Sequence, residues 1–402
     1  MRMRRTTSAL AGLLLAGTVG APAAYARSAR PEQWHLAAMQ AEQMWKFSTG
    51  LGVTVAVIDT GVGRIPELDG QVVQGKDFSH GYEGDERTDY GDHGTGIAAL
   101  IAGTGKRPTG GGAFGLAPGA KILPLRVSEG GGNLRLHQSI AEAIRFAADS
   151  DAKVLNISFG GPGESEELDA AVRYALDKGK LIFSSVGNDG DGPNEVMYPS
   201  GSPGVVGVSA VGPDDAATKE SQHGPQVDLA APGVDIVTGC ADETDSDPGP
   251  DSGFCSHHGT SDATALASAS VALLWSVHPD WTNNQVLRVL LNTAAQPVGG
   301  GGRDDYVGYG VVRPRIALLA APASGDPDPG PGDLYPLPDL AGAQGRNPPS
   351  PPADGKSSGL PALRAEAGRA GRSVLPRTLL GWGASAVVGA AVAAVVVRRV
   401  CR

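Results

Sequence analysis

Five short runs dominated by Val, Ile and Leu recur along the chain: VTVAVID (53–59), KILPLRV (121–127), KVLNIS (153–158), KLIFSSV (180–186) and VVGVSAV (205–211). A strand with one face in water alternates apolar and polar residues; near-continuous apolar runs require both faces to be covered. Helical stretches separate them. In 137–149, Ile140, Ile144 and Ala147 or Ala148 fall on one face, and a second helix is expected over about 165–178. Such alternation predicts an α/β fold, a three-layer sandwich with a mostly parallel sheet. A further helix is expected just after Ser261 (ATALASASVALLWSV), uncharged and rich in small residues, as suits a path through the core against the sheet. Ligands of such sheets bind at the carboxyl ends of the strands, where Asp59, Ser158 and Asn188 stand.

Three chemically complementary residues sit at the ends of these elements. Asp59 closes VTVAVID ahead of Thr60-Gly61, where a carboxylate at the rim of a core is costly unless hydrogen-bonded. His93 opens the helix in DHGTGIAALIAG, and the dipole there disfavours the imidazolium, which suits a base that must start neutral. Ser261, in HHGTSDATA, meets the N-terminus of a helix, where its backbone N–H can face a developing oxyanion. A hydroxyl nucleophile needs a base, and the base needs an orienting carboxylate. Asp, His, Ser is one of the chain orders in which that set recurs on unrelated folds. Asn188 in SSVGND offers a side-chain amide as second oxyanion donor, although Gly187-Asn188 alone is an ordinary turn signal. The chemistry implied is hydrolysis of a protein or peptide substrate through an acyl-enzyme, with no cofactor.

The ends of the chain have a different texture. Residues 1–26 read as a signal peptide: Arg2, Arg4 and Arg5, then apolar Ala9–Val19, then Ala24-Tyr25-Ala26 at the cleavage site. Residues 27–50 are then an N-terminal extension to a catalytic domain over 51–322. From 323 to 378, Pro and Gly dominate a semi-stiff linker too poor in apolar surface to fold. Residues 379–397 carry no charge and reach ~29 Å as a helix, enough for one transmembrane span; a buried or peripheral helix is the alternative. Arg398, Arg399 and Arg402 keep the tail, 398–402, cytoplasmic. The expectation is a single-pass protein of the cell membrane with its catalytic body extracytoplasmic. A formal net charge of -10 argues against a nucleic-acid partner.

Cys240 and Cys255 flank an acidic loop and, in an oxidising compartment, suit a disulfide contributing about 3 kcal/mol; two unlinked thiols are the alternative. Cys401 would remain a thiol beyond the anchor. The loop's Asp242, Glu243, Asp245, Asp247 and Asp251 have a carboxylate density suggestive of calcium but lack EF-hand spacing and its closing glutamate. They read as a solvated charge run, and no metal is expected.

DTG at Asp59, HGTGIAALIAG at His93, NISFGG (156–161), SSVGN at Asn188 and GTS at Ser261 resemble, in order and spacing, the signature blocks of the subtilase family over about 270 residues. The resemblance implies Asp59, His93 and Ser261 as catalytic triad, Asn188 as oxyanion side chain, and Ser158, Phe159 and Gly160 as a substrate-binding edge. The layout of signal peptide, peptidase, Pro-rich tether and membrane helix is similar to the mycosins associated with type VII secretion. That similarity implies processing of a secreted protein and a secretion membrane complex as partner. About 24 residues between cleavage site and first strand, too few for a folding pro-domain, agree with that branch.

The chain departs from the family after the nucleophile. Asp262 stands where an apolar residue is usual, and Ala265 replaces a proline. Asp262 suits a first helical turn, but its charge beside Ser261 is expected to raise the pKa of His93 or disfavour the oxyanion. Together with Ala265 and the secretion association implied by the resemblance, it motivates a second reading, a weakly active or inactive scaffold subunit of a secretion complex. His257 and His258 are assigned a loop role, since a neighbour along the chain does not easily fold back to Oγ of Ser261.

Overall fold

The computed structural model describes residues 28–107, 110–127, 132–241, 253–297 and 302–319. The expected signal peptide, linker, transmembrane helix and tail, and the acidic residues 242–251, lie outside the described residues. The strands are β1 (Thr54–Asp59), β2 (Lys76–Asp77), β3 (Lys121–Arg126), β4 (Val154–Ile157), β5 (Gly161–Pro162), β6 (Leu181–Ser185), β7 (Met197–Tyr198), β8 (Val206–Val211), β9 (Leu229–Pro232), β10 (Ile236–Gly239) and β11 (Phe254–His257). The helices are α1 (Trp34–Ala38), α2 (Ala41–Met44), α3 (His93–Ala102), α4 (Gly132–Ala148), α5 (Glu166–Asp177), α6 (Thr260–Val277), α7 (Asn283–Thr293) and α8 (Pro314–Leu319).

Seven strands form one sheet in the order β2-β3-β1-β4-β6-β8-β9, with every neighbouring pair parallel. The five apolar runs supply its centre. The edges β2 and β9 are too short to show in the sequence as apolar runs. After β3 pairs on one side of β1, the chain crosses to β4 on the other, so the connections diverge beside β1. In open sheets of this kind ligands bind beside such a divergence, which here falls at the carboxyl ends of β1 and β4. Ile58 is in register with Ile157, so one step further Asp59 and Ser158 leave the sheet side by side.

The sheet is covered on both faces. α3 and α6 share one buried cluster with Val55, Val57, Phe183 and Val208, while α4 and α5 share the other with Ala56, Ile58, Leu155 and Ile182. Residues 260–275 of α6 are all buried. Ala263, Ala265, Ala267 and Ala269 let its axis approach the strands. Its hydroxyls are satisfied internally: Thr264 donates to the Thr260 carbonyl at 2.7 Å, and Ser268 donates to Asn156 Oδ1 on β4 at 3.0 Å. The helix starts at Thr260 rather than after Ser261, and Ser261 is therefore inside its first turn. α5 is capped by Ser165, with Glu166, Glu167 and Asp169 in its first turn; α7 carries a Thr282/Gln285 capping box.

Residues 28–50 lie on the body. Gln33 Nε2 donates to the carbonyls of Phe114 (2.8 Å) and Val237 (3.2 Å), Trp34 Nε1 to that of Val234 (2.8 Å), and Trp45 Nε1 to that of Leu116 (2.9 Å). β10 and β11 form an antiparallel pair, and a disulfide joins Cys240 to Cys255 across it with Cα atoms 5.9 Å apart. Among the described residues no helix is long and apolar enough to cross a membrane.

Candidate active site

Asp59 is fully buried at the end of β1, and its Oδ1 lies 2.7 Å from His93 Nδ1. A carboxylate only accepts, so Nδ1 carries the proton and Nε2 is left for chemistry. The same oxygen accepts from the Thr60 backbone N–H at 2.8 Å. Asp89 braces this corner: Oδ1 accepts from the Thr60 hydroxyl at 2.7 Å, and Oδ2 accepts from the Thr95 N–H (2.8 Å) and hydroxyl (2.6 Å). Thr60 Oγ1 in turn accepts from Gly94 N at 3.0 Å. The start of α3 is thereby tied to the end of β1. Gly94 is required by space, since a Cβ there would overlap the Gly61 carbonyl oxygen and stand 2.9 Å from Asp59 Oδ1.

His93 does not keep the low pKa expected at a helix start. Burial pulls it down, but the charge and hydrogen bond of Asp59, with the charges of Asp262 and Asp89, outweigh burial and lift it from 6.5 to about 9. Four carboxylate-derived contributions at one corner exceed the effect of burial.

Ser261 is buried in the first turn of α6, and its hydroxyl donates to the Ser158 carbonyl at 3.3 Å. Among the described contacts no hydrogen bond joins it to His93, as is common before substrate binds. Asn188 follows β6, and its Oδ1 accepts from the Thr260 N–H at 2.9 Å and hydroxyl at 3.0 Å. Its amide is thus anchored one residue from Ser261. Ser158 and Phe159 leave β4 at the same level. Asn156 Nδ2 donates to Ser158 Oγ at 3.0 Å, and the Phe159 ring meets the His93 ring edge-on with centroids 5.5 Å apart. Gly160 lies beside the Tyr198 carbonyl, which a Cβ at that position would approach to 2.8 Å.

The structure therefore brings Asp59, His93, Ser158, Phe159, Asn188 and Ser261 to one end of the sheet. It also adds a residue the sequence reading left in a loop. His257 ends β11, and its Nδ1 lies 3.2 Å from Oδ1 of the buried Asp262. Its ring stacks on that of His93 with centroids 6.1 Å apart and planes 11° apart. The carboxyl beside the nucleophile is consequently hydrogen-bonded, not isolated. His258 points elsewhere, 3.8 Å from Glu220. Asp89 was also missed: a polar run such as DERTDYGD carries no spacing that marks one acid as structural.

The Subtilase family model matches residues 50–310. Fervidolysin of Fervidobacterium pennivorans is 33% identical over 316 residues, 73% of this chain and 44% of fervidolysin, so the chain spans less than half of that relative's length. The crystal structure of MycP1 from Mycobacterium smegmatis superposes with a TM-score of 0.62 at 30% identity, covering 78% of this chain and 90% of MycP1. MycP3 protease from the type VII (ESX-3) secretion system gives 0.60 at 30% identity, over 71% and 87%. With a parallel sheet of this order, an Asp–His pair at its carboxyl end and a serine on the buried helix, the chain belongs to the subtilase family, the family of subtilisin-like serine proteases.

Proposed function

We propose that the chain is a serine endopeptidase in which Ser261 Oγ attacks the scissile carbonyl carbon while His93 Nε2 takes its proton. Asp59 holds the imidazole in the required tautomer and stabilises the imidazolium. The anchored amide of Asn188 and the backbone N–H of Ser261 are the donors for the oxyanion. His93 then protonates the leaving amine, and water clears the acyl-enzyme by the same route. Ser158, Phe159 and Gly160 receive the substrate backbone and flank the residue before the cut. The 2.7 Å contact of His93 Nδ1 with Asp59 Oδ1 carries the reading, because it fixes the tautomer in which Nε2 is the nitrogen that exchanges a proton with Ser261.

We propose further that this body works outside the cytoplasm at the cell membrane, after removal of residues 1–26 and held by the linker 323–378 and the span 379–397. The likeness to MycP1 and MycP3 supports processing of a secreted protein alongside a type VII secretion complex. The scaffold reading is motivated by Asp262, by Ala265 and by the family's association with secretion, and the His257 contact weakens only the first of these. A fluorophosphonate probe tests the enzyme reading: it should label the full-length chain and leave Ser261→Ala unmodified. Label retained in Ser261→Ala would remove the nucleophile from its role.

A further inference from the structure

Acidic residues beside a nucleophilic serine are electrostatically unwelcome, because the transition state places a second negative charge within a few ångströms. Asp262 occupies that position, is almost fully buried, and its field reaches His93. His257 lies between the two. Its Nδ1 faces Asp262 at 3.2 Å, its Nε2 faces the Cys255 sulfur at 3.2 Å, and its ring lies parallel to that of His93. A carboxylate has no proton to give, so His257 Nδ1 donates to Asp262.

A second observation is independent of these distances. Gly96 sits inside α3, where glycine costs about 1 kcal/mol relative to alanine. Its backbone is ordinary, so conformation does not demand glycine there. A Cβ at 96 would overlap His257 Cε1 and approach Nε2 to 2.9 Å and Nδ1 to 3.0 Å. The helix that carries His93 is hollowed to receive the His257 ring. Thr238 on β10, the partner strand of β11, donates to the Gly96 carbonyl at 2.9 Å and fixes this approach.

We propose that His257 is a positioning residue of the active site: it holds the Asp262 carboxylate away from the reacting oxygen and backs the ring of His93, which lets an acid follow the nucleophile. The inference rests on the triad reading above. The groups facing His257 are Asp262 from α6, His93 from α3 and the Cys255 sulfur from its own strand; behind His93 stand Asp59 and Asp89.

The test measures the rate of fluorophosphonate inactivation against pH for the full-length chain and for His257→Ala, His257→Gln, Asp262→Asn and the double variant His257→Ala/Asp262→Asn. Removing His257 frees the Asp262 carboxylate of its hydrogen bond and strengthens the hold it already has on His93, so the acidic limb moves to higher pH and the rate falls about tenfold. Asp262→Asn removes that charge and moves the limb to lower pH. In the Asp262→Asn background, His257→Ala should cost less than about threefold, and His257→Gln, which keeps an N–H toward Asp262, should retain most of the rate. A merely structural histidine would lose the same factor in both backgrounds with an unmoved limb, and that result overturns the proposal. If the parent takes no label, the Ser261 reading fails separately, and melting temperatures decide this one. Gly96→Ala should cost stability in the parent and little in His257→Ala; additive losses would overturn the placement.

Discussion

The elevated pKa of His93 makes a prediction about when the site can work. Only neutral His93 accepts the Ser261 proton. With a folded-state pKa of about 9, about 1% of the protein has a neutral base at pH 7, about 10% at pH 8 and half at pH 9. kcat/KM on a dye-labelled casein substrate should therefore climb close to tenfold per pH unit between about pH 6 and 8, and level off only above about pH 10. The cause is local: Asp59 lies 2.7 Å from Nδ1, while Asp262 and Asp89 add to it and together overcome burial. Stability should run the other way. The raised pKa means the Asp59–His93 contribution is complete below about pH 6.5 and is lost as pH rises through about 9; the ring is 36% exposed, so solvent screening makes that loss small. The reasoning requires an alkaline enzyme whose base is least populated where the fold is firmest. A midpoint near 6.5 with a plateau by pH 8 would refute it, because the carboxylates would then have no net hold on the ring.

Other perturbations test the scaffold around the site. Gly94→Ala forces a methyl group against the Gly61 carbonyl and Asp59, so it should destabilise by about 1–3 kcal/mol in urea unfolding and depress probe labelling far more than the unfolding predicts. Replacing both bridge cysteines, Cys240→Ser/Cys255→Ser, opens a closure spanning 15 residues and should cost about 3 kcal/mol, read as a melting shift absent in reduced parent compared with the variant. Thr282→Ala removes the capping box of α7 far from the active site; about 1 kcal/mol should be lost with the pH profile unchanged.

Much of this protein was legible before any coordinates. The apolar runs at 53–59, 121–127, 153–158, 180–186 and 205–211 became β1, β3, β4, β6 and β8, because a strand covered on both faces has no other way to be written. The α4 and α5 regions followed from helical periodicity, and Asp59, His93, Asn188 and Ser261 were conspicuous because each stands at the end of such an element. The strands β2 and β9 were not legible, since two or four residues at a sheet edge carry no pattern of their own.

Chemical identity was written along the chain, but contacts between distant segments were not. Whether Asp262 faces the oxyanion as a bare charge depends on β11 returning past α3, 5 residues earlier in sequence at His257 yet held there by β10 and Gly96. The helix dipole at His93 is a local property that the sequence does carry. The three carboxylates that outweigh the burial of His93 come from a strand end, a loop and another helix, and only their convergence in space sets the sign of the shift. Local pattern determined the elements and the reactive groups, because it depends on neighbours along the chain; tertiary structure alone decided the electrostatics, because Coulomb interactions depend on distance in space.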